Sequence, residues 1–106
     1  MRENVRRIDI EKSTGETFKQ KDYKDKGFIP VVILENGKEV DLSNYRAKVL
    51  FEISNEEINE KQCEIIDNMI KVNIENFGNI KTTIPFEIVL NGNNQRVTTF
   101  VMYLKK

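Results

Sequence analysis

Ile84-Pro85-Phe86-Glu87-Ile88-Val89-Leu90, followed by Asn91-Gly92-Asn93-Asn94 and then Arg96-Val97-Thr98-Thr99-Phe100, reads as two strands joined by a turn and sets the fold class. Ile84, Phe86, Ile88 and Leu90 alternate with Pro85, Glu87, Val89 and Asn91. That period of two turns one side chain in every pair toward a core and the other toward water, as in a strand. The Asn- and Gly-rich link tolerates positive φ and suits a turn between antiparallel neighbours. Thr98 and Thr99 fit a strand as β-branched residues. The run from Arg96 to Leu104 becomes apolar on both faces near its end, through Phe100, Val101, Met102, Tyr103 and Leu104.

The same period recurs upstream. Ala47, Val49, Phe51 and Ile53 alternate with Lys48, Leu50, Glu52 and Ser54, and Ile70, Val72 and Ile74 alternate with Lys71, Asn73 and Glu75. Asp67-Asn68 is a tight polar link that makes a hairpin of Gln62–Ile66 and Met69–Glu75. Phe28 to Leu34 is apolar on both faces and reads as a central strand, although Pro30 removes a ladder donor and favours an edge or a bulge. Asn36-Gly37 behind it is a strong hairpin signal. Asn76-Phe77-Gly78-Asn79 is a further turn. Asn55-Glu56-Glu57-Ile58-Asn59-Glu60-Lys61 is charged and reads as a polar loop with one helical turn, Asn55 acting as its N-cap. Residues 13–27 form the longest irregular part, an ordered loop packed by Phe18. With about seven strands at roughly ten-residue spacing, the expected fold is all-β, an antiparallel Ig-like β-sandwich. Residues 1–106 are expected to form a single domain.

Composition narrows the function. Lys plus Arg and Asp plus Glu both number 17, so the formal net charge is zero and no overall field favours nucleic acid or an anionic membrane. The basic pairs Arg6-Arg7 and Lys105-Lys106 make no stripe. The polar start Met1-Arg2-Glu3-Asn4 carries no apolar h-region, and no apolar run approaches the ~20 residues of a spanning helix. A soluble protein made in a bacterial cytoplasm is expected.

Catalytic constellations are not legible. Histidine is absent, which removes the commonest general base and metal ligand. The single cysteine, Cys63, has no disulfide partner and no histidine to activate it, and its neighbours read as a strand that half-buries it. Phosphate-binding and nucleophile-elbow motifs are missing. Asp22, Asp25 and Asp41 supply loop carboxylates of the kind calcium needs, but without EF-hand spacing they read as solvated turn acids. Glu87 reads as an outward strand residue rather than half of a glycosidase pair. No enzyme, cofactor or metal is expected. Without Trp, a sugar platform would rest on Tyr23 and Tyr45, with Tyr103 as the third tyrosine. Tyr23 is expected to be exposed because its neighbours are charged, and Tyr45 to cover an end of the core.

Order and spacing add a resemblance. Phe18-Lys19-Gln20-Lys21-Asp22 precedes the first long strand; Asn36-Gly37-Lys38 and Val40-Asp41-Leu42-Ser43 follow it; Glu87 and Arg96-Val97-Thr98-Thr99-Phe100 close the chain. Over about residues 5–104 this resembles the N-terminal domain family of phage baseplate upper proteins, small β-sandwiches that attach receptor-binding machinery to a phage tail. The family often has a glycine where Lys21 stands and another where Asn44 stands, and Asn tolerates similar backbone angles. In this reading Leu42 plugs the core and Asp41 hydrogen-bonds the turn backbone. The resemblance implies a structural virion component of a phage or prophage, docking receptor-binding components to the tail tip. Its partners would be other tail or baseplate proteins, and it predicts weak self-association or binding to another tail protein. Lys19, Lys21, Asp22, Tyr23 and Asp25 of the irregular loop and Tyr103 of the last strand are the interface candidates. The alternative from a different class is a carbohydrate-binding or adhesion β-sandwich module.

Overall fold

The structure is a computed structural model that describes residues 4–11, 15–52, 57–93 and 97–106. It is almost entirely β. Its strands are β1 (Arg6–Asp9), β2 (Thr17–Lys19), β3 (Phe28–Glu35), β4 (Lys38–Glu39), β5 (Tyr45–Glu52), β6 (Ile58–Ile66), β7 (Met69–Asn73), β8 (Ile84–Gly92) and β9 (Thr98–Lys105). Helical structure among the described residues is limited to short 3₁₀ turns at Gln20–Tyr23 and Ile74–Phe77.

Eight strands form one curled path in the order β1-β3-β7-β6-β5-β8-β9-β2, with β4 paired to β3 at the side. The curl is made by β6. Its first part, from Ile58 to Cys63, pairs with β5, and its last part, from Glu64 to Ile66, pairs with β7. One strand therefore carries the chain from one sheet to the other, and the result is a half-barrel around a single core.

This corrects the expected seven-stranded antiparallel Ig-like sandwich on two counts. The described strands number nine, and the sheet is mixed: β1 runs parallel to β3 and β2 runs parallel to β9. Parallel pairing needs a long crossover, and here β2 and the first 3₁₀ turn lie between β1 and β3. The region 13–27, expected to be an irregular loop, thus contributes β2 and that turn, with residues 12–14 outside the described ones. Ile58 to Lys61 is strand rather than helical turn, because these residues close the ladder with Leu50, Phe51, Glu52 and Val49 of β5. Ile53 and Ser54 of the alternating run, Asn55 and Glu56 of the charged loop, and Arg96 of the closing motif lie outside the described residues.

The core lies between the inner faces. Ile29, Val31 and Ile33 of β3 and Ile70 and Val72 of β7 face Ala47, Val49 and Phe51 of β5, Phe86, Ile88 and Leu90 of β8, and Phe100, Met102 and Leu104 of β9. Phe77 is the hub of its aromatic end, with ring centroids 4.6 Å from Phe51 and 5.3 Å from Phe86. Such tilted contacts add to area burial.

Both short hairpins form where they were read. Asn36 and Gly37 have φ of 53° and 78°, and Asp67 and Asn68 have φ of 52° and 59°. Positive φ at both central residues is the type I′ signature that matches strand twist. Pro30 is buried and pairs with Lys71, one residue before the β1 ladder begins at Val31.

Candidate docking surface

Two regions carry the predicted interface residues. The first is the end of the molecule built by residues 19–26. Successive residues of a 3₁₀ turn are about 120° apart, so positions three apart share a side. Gln20 and Tyr23 are three apart and both point inward, while Lys21 and Asp22 stay in water. Tyr23 is only 7% exposed, and its ring meets Phe18 edge-on at 6.3 Å. This corrects the expectation that Tyr23 is an exposed contact. Its charged neighbours signalled a wet segment, but the spacing to Gln20 was the informative signal.

Gln20 is the buried polar residue among those described, and its Nε2 donates to the Gly78 carbonyl at 2.7 Å. The bond ties the first 3₁₀ turn to the end of the second. Gly27 N–H donates to the Tyr23 carbonyl at 2.7 Å and closes the turn, with Gly27 at φ 86°. Beside it, Asp22, Tyr23, Asp25 and Lys26 line an open cleft of about 760 Å³ with Asn4, Val5 and Arg6. The Arg6 guanidinium lies 4.9 Å from the Phe18 ring centroid and pairs with Glu16 at 2.9 Å. The cleft is polar and mixed in charge.

The second region is the outward face of the sheet made by β5, β8, β9 and β2. Register places Thr17 beside Tyr103 and Lys19 beside Lys105. Lys19 and Tyr103 therefore share this face, and the structure brings those two candidates together, apart from Lys21, Asp22 and Asp25 on the turn. Tyr103 is 39% exposed and packs over Gly15, where an added Cβ would come within 2.9 Å of the ring. On this face Tyr103 pairs with Pro85 and Val101 with Glu87, which in turn pairs with Leu50, and the Lys48–Glu60 ion pair lies beyond.

A polar clamp at the opposite corner was not anticipated. Asn68 accepts from Leu42 N–H through Oδ1 at 2.7 Å; its Nδ2 donates to the Val40 carbonyl at 2.9 Å and to Glu39 Oε2 at 2.7 Å. These bonds seat Leu42, 1% exposed, in the core, as expected of that residue. Asp41 accepts from Ser43 N–H at 3.0 Å, also as expected, and the backbone and side chain of Ser43 hold its carboxyl below the usual range. Asn68 was legible as a turn former but not as a clamp, since its partners are 26 to 29 residues away. Asp9 does similar work: it accepts from Glu11 N–H at 3.0 Å and from Gly37 N–H at 3.2 Å. Tyr45 is half-buried against the core and borders a cavity of about 450 Å³ with Ile10, Val40 and Leu90.

Cys63 is half-buried, and burial pushes its thiol up to about 11, away from reactivity. Among the described residues no three His, Cys, Asp or Glu side chains come together to hold a metal. No described helix is long and apolar enough to cross a membrane.

No family model and no curated protein matches the chain. A solved structure does: the N-terminal domain of phage TP901-1 ORF48 superposes with a TM-score of 0.61 at 13% identity, covering 97% of this chain and 98% of that one. The likeness extends over the whole domain and is one of fold.

Proposed function

We propose that this chain is a structural module of a phage or prophage tail baseplate, docking receptor-binding components to the tail tip. The observation that carries the reading is the end-to-end match in fold to an N-terminal domain of a phage protein. It coincides with the ordered motifs from Phe18 to Phe100 that resemble the baseplate upper protein family. Docking asks for surface rather than a reaction centre, and Lys19, Lys21, Asp22 and Asp25 are exposed at one end of the fold. Zero net charge suits assembly through modest patches strengthened by high local concentration.

The sugar-binding alternative needed Tyr23 and Tyr45 as an exposed aromatic pair. Tyr23 is buried and Tyr45 half-buried, so that platform has lost its main support.

The test is proteomics on phage-like particles purified from an induced culture of the source bacterium. The reading expects this chain at stoichiometric level beside other tail proteins. Clean particles that lack it would overturn the reading.

A further inference from the structure

The half-barrel has a mouth at one end. β1, β3 and β8 end there and β5 and β9 begin there, as the chain of pairings requires. Asn93 N–H donates to the Asn44 carbonyl at 3.3 Å and ties one corner of it. Between these strand ends lies a cavity of about 450 Å³. Its walls are largely apolar. Ile10, Val40 and Tyr45 are half-buried against the core, Leu90 belongs to the core, and Val97 is 54% exposed. Glu35, Thr98 and Thr99 supply the polar groups. Ligand sites favour barrel mouths of this make-up, apolar walls with a few polar groups, at volumes of ~300–1,000 Å³.

Charge at this end narrows what fits. The chain is neutral as a whole, yet the described residues of this end are not balanced. Exposed Glu11, Glu35, Glu39, Asp41 and Asp67 stand there against Lys38 and Arg46. Glu35, the acid that lines the cavity, makes no ion pair among the described residues. An apolar cavity with such a carboxylate at its rim suits a ligand that carries an apolar group and a positive charge side by side.

We propose that this mouth docks a segment of a partner protein, which inserts one bulky apolar side chain between Val40, Tyr45 and Val97 and sets a neighbouring lysine or arginine beside Glu35. The inserted side chain caps the core where Ile10 and Leu90 form the cavity floor. Mouth-to-mouth pairing of two copies would set acid against acid, which argues against a symmetric pair. One anchor and one charge exposed at the rim make a weak contact, of the kind that repetition in an assembly strengthens. The proposal rests on the docking reading for the source of the partner, not for the geometry. Peptide binding is measured on the isolated chain, so it can fail while tail particles contain the protein, and the reverse.

Amide NMR spectra of the purified chain, titrated to about 10 mM with the capped peptide Gly-Lys-Phe-Lys-Gly, test this. The expected result is saturable movement of the Ile10, Glu35, Val40, Tyr45 and Thr98 amides, with half-saturation at about 1 mM. Gly-Lys-Gly-Lys-Gly, which lacks the anchor, should bind about tenfold more weakly. Glu35→Lys should cut the preference for the lysine peptide over Gly-Glu-Phe-Glu-Gly about tenfold, because one attraction becomes one repulsion. Val97→Ser should weaken both phenylalanine peptides several-fold by removing part of the apolar wall. Glu35 and Val97 are exposed, so circular dichroism of both variants should match wild type. Shifts that do not saturate, or that gather elsewhere on the fold, overturn the proposal. So does an anchorless peptide that binds equally well, or a preference indifferent to Glu35→Lys. Mouth amides that move with protein concentration alone would make a second copy the occupant and overturn it too.

Discussion

Asn68→Asp is the sharpest probe of what holds the fold. The change keeps size, shape and tolerance of φ 59°, and leaves an acceptor for Leu42 N–H. It removes both Nδ2 donors and sets an oxygen where they stood, 2.9 Å from the Val40 carbonyl and 2.7 Å from Glu39 Oε2. Losing the part-buried bond to Val40 costs about 1 kcal/mol, and losing the exposed one to Glu39 costs less. Repulsion between carboxylates that relax to ~4 Å in water adds about 1 kcal/mol. The total is about 2 to 3 kcal/mol, a large share of the ~5 to 15 kcal/mol by which domains are stable. Urea unfolding followed by circular dichroism should show a midpoint lower by about 1 M or more with an unchanged slope. The pH dependence has a defined sign. Glu39 and the Val40 carbonyl disfavour the charged form, so the introduced aspartate has a raised pKa in the folded variant. Above that pKa the penalty is complete; below it, the protonated acid donates again and the gap to wild type narrows. Adding Glu39→Gln should recover part of the loss at neutral pH. A variant within about 0.5 kcal/mol of wild type at neutral pH, or a gap that widens on acidification, would refute the clamp.

Gln20→Leu keeps the volume but leaves the Gly78 carbonyl without its donor, and thermal unfolding should report a loss of about 1 to 3 kcal/mol. Gly15→Ala adds a Cβ that meets the Tyr103 ring at φ 88°; a loss of about 1 kcal/mol or more is expected, of which Tyr103→Ala in the same chain relieves only the steric part. Cys63, pushed up from 9.0 to about 11, should react slowly with thiol reagents in native protein near neutral pH and rapidly once unfolded. Its folded thiol holds the proton more tightly than the unfolded one, so its contribution to stability is intact below pH 9 and is lost as pH rises through about 11, readable in urea midpoints across that range.

The strands with clear alternation, β5, β7 and β8, were legible because one face meets the core and the other mostly meets water. The hairpins at Asn36-Gly37 and Asp67-Asn68 were legible because few residues accept their backbone angles. β6 was legible from Gln62 to Ile66, as one arm of a hairpin, but not from Ile58 to Lys61, where residues on both faces are largely exposed. Its strand character comes from the partners β5 and β7. The parallel pairing of β1 and β2 was also hidden: strands of four and three residues carry no period, and which neighbour they join is a tertiary matter. Tyr23 shows the same limit in the candidate surface. Composition marked its segment as wet, but only the geometry of a 3₁₀ turn separates the inward pair from the exposed charges. Of the interface candidates, Lys19 and Tyr103 came together because parallel pairing of β2 with β9 puts them on one face, a pairing the sequence did not announce.

Polar side chains are distributed unevenly across this molecule, and that separates stability from docking. Gln20, Asn68, Asp41 and Asp9 each bind backbone and hold a loop in place. The turn at residues 19–26 is committed to the fold through Gln20 and Tyr23, so substitutions at those two positions act on stability first. The outward residues Arg46, Glu52 and Glu87 anchor no loop by a hydrogen bond among the described residues. Val101 and Tyr103 stand in water while their strand is already secured by Phe100, Met102 and Leu104. Surface changes of that kind usually shift stability by no more than about 0.5 kcal/mol. Arg46→Glu, Glu52→Arg and Val101→Lys should therefore leave urea unfolding within about 0.5 kcal/mol of wild type, whereas Gln20→Leu and Asn68→Asp should lower its midpoint. If the face variants instead proved as destabilising as the clamp variants, the sheet face would be part of the fold's own support rather than a surface left for a partner.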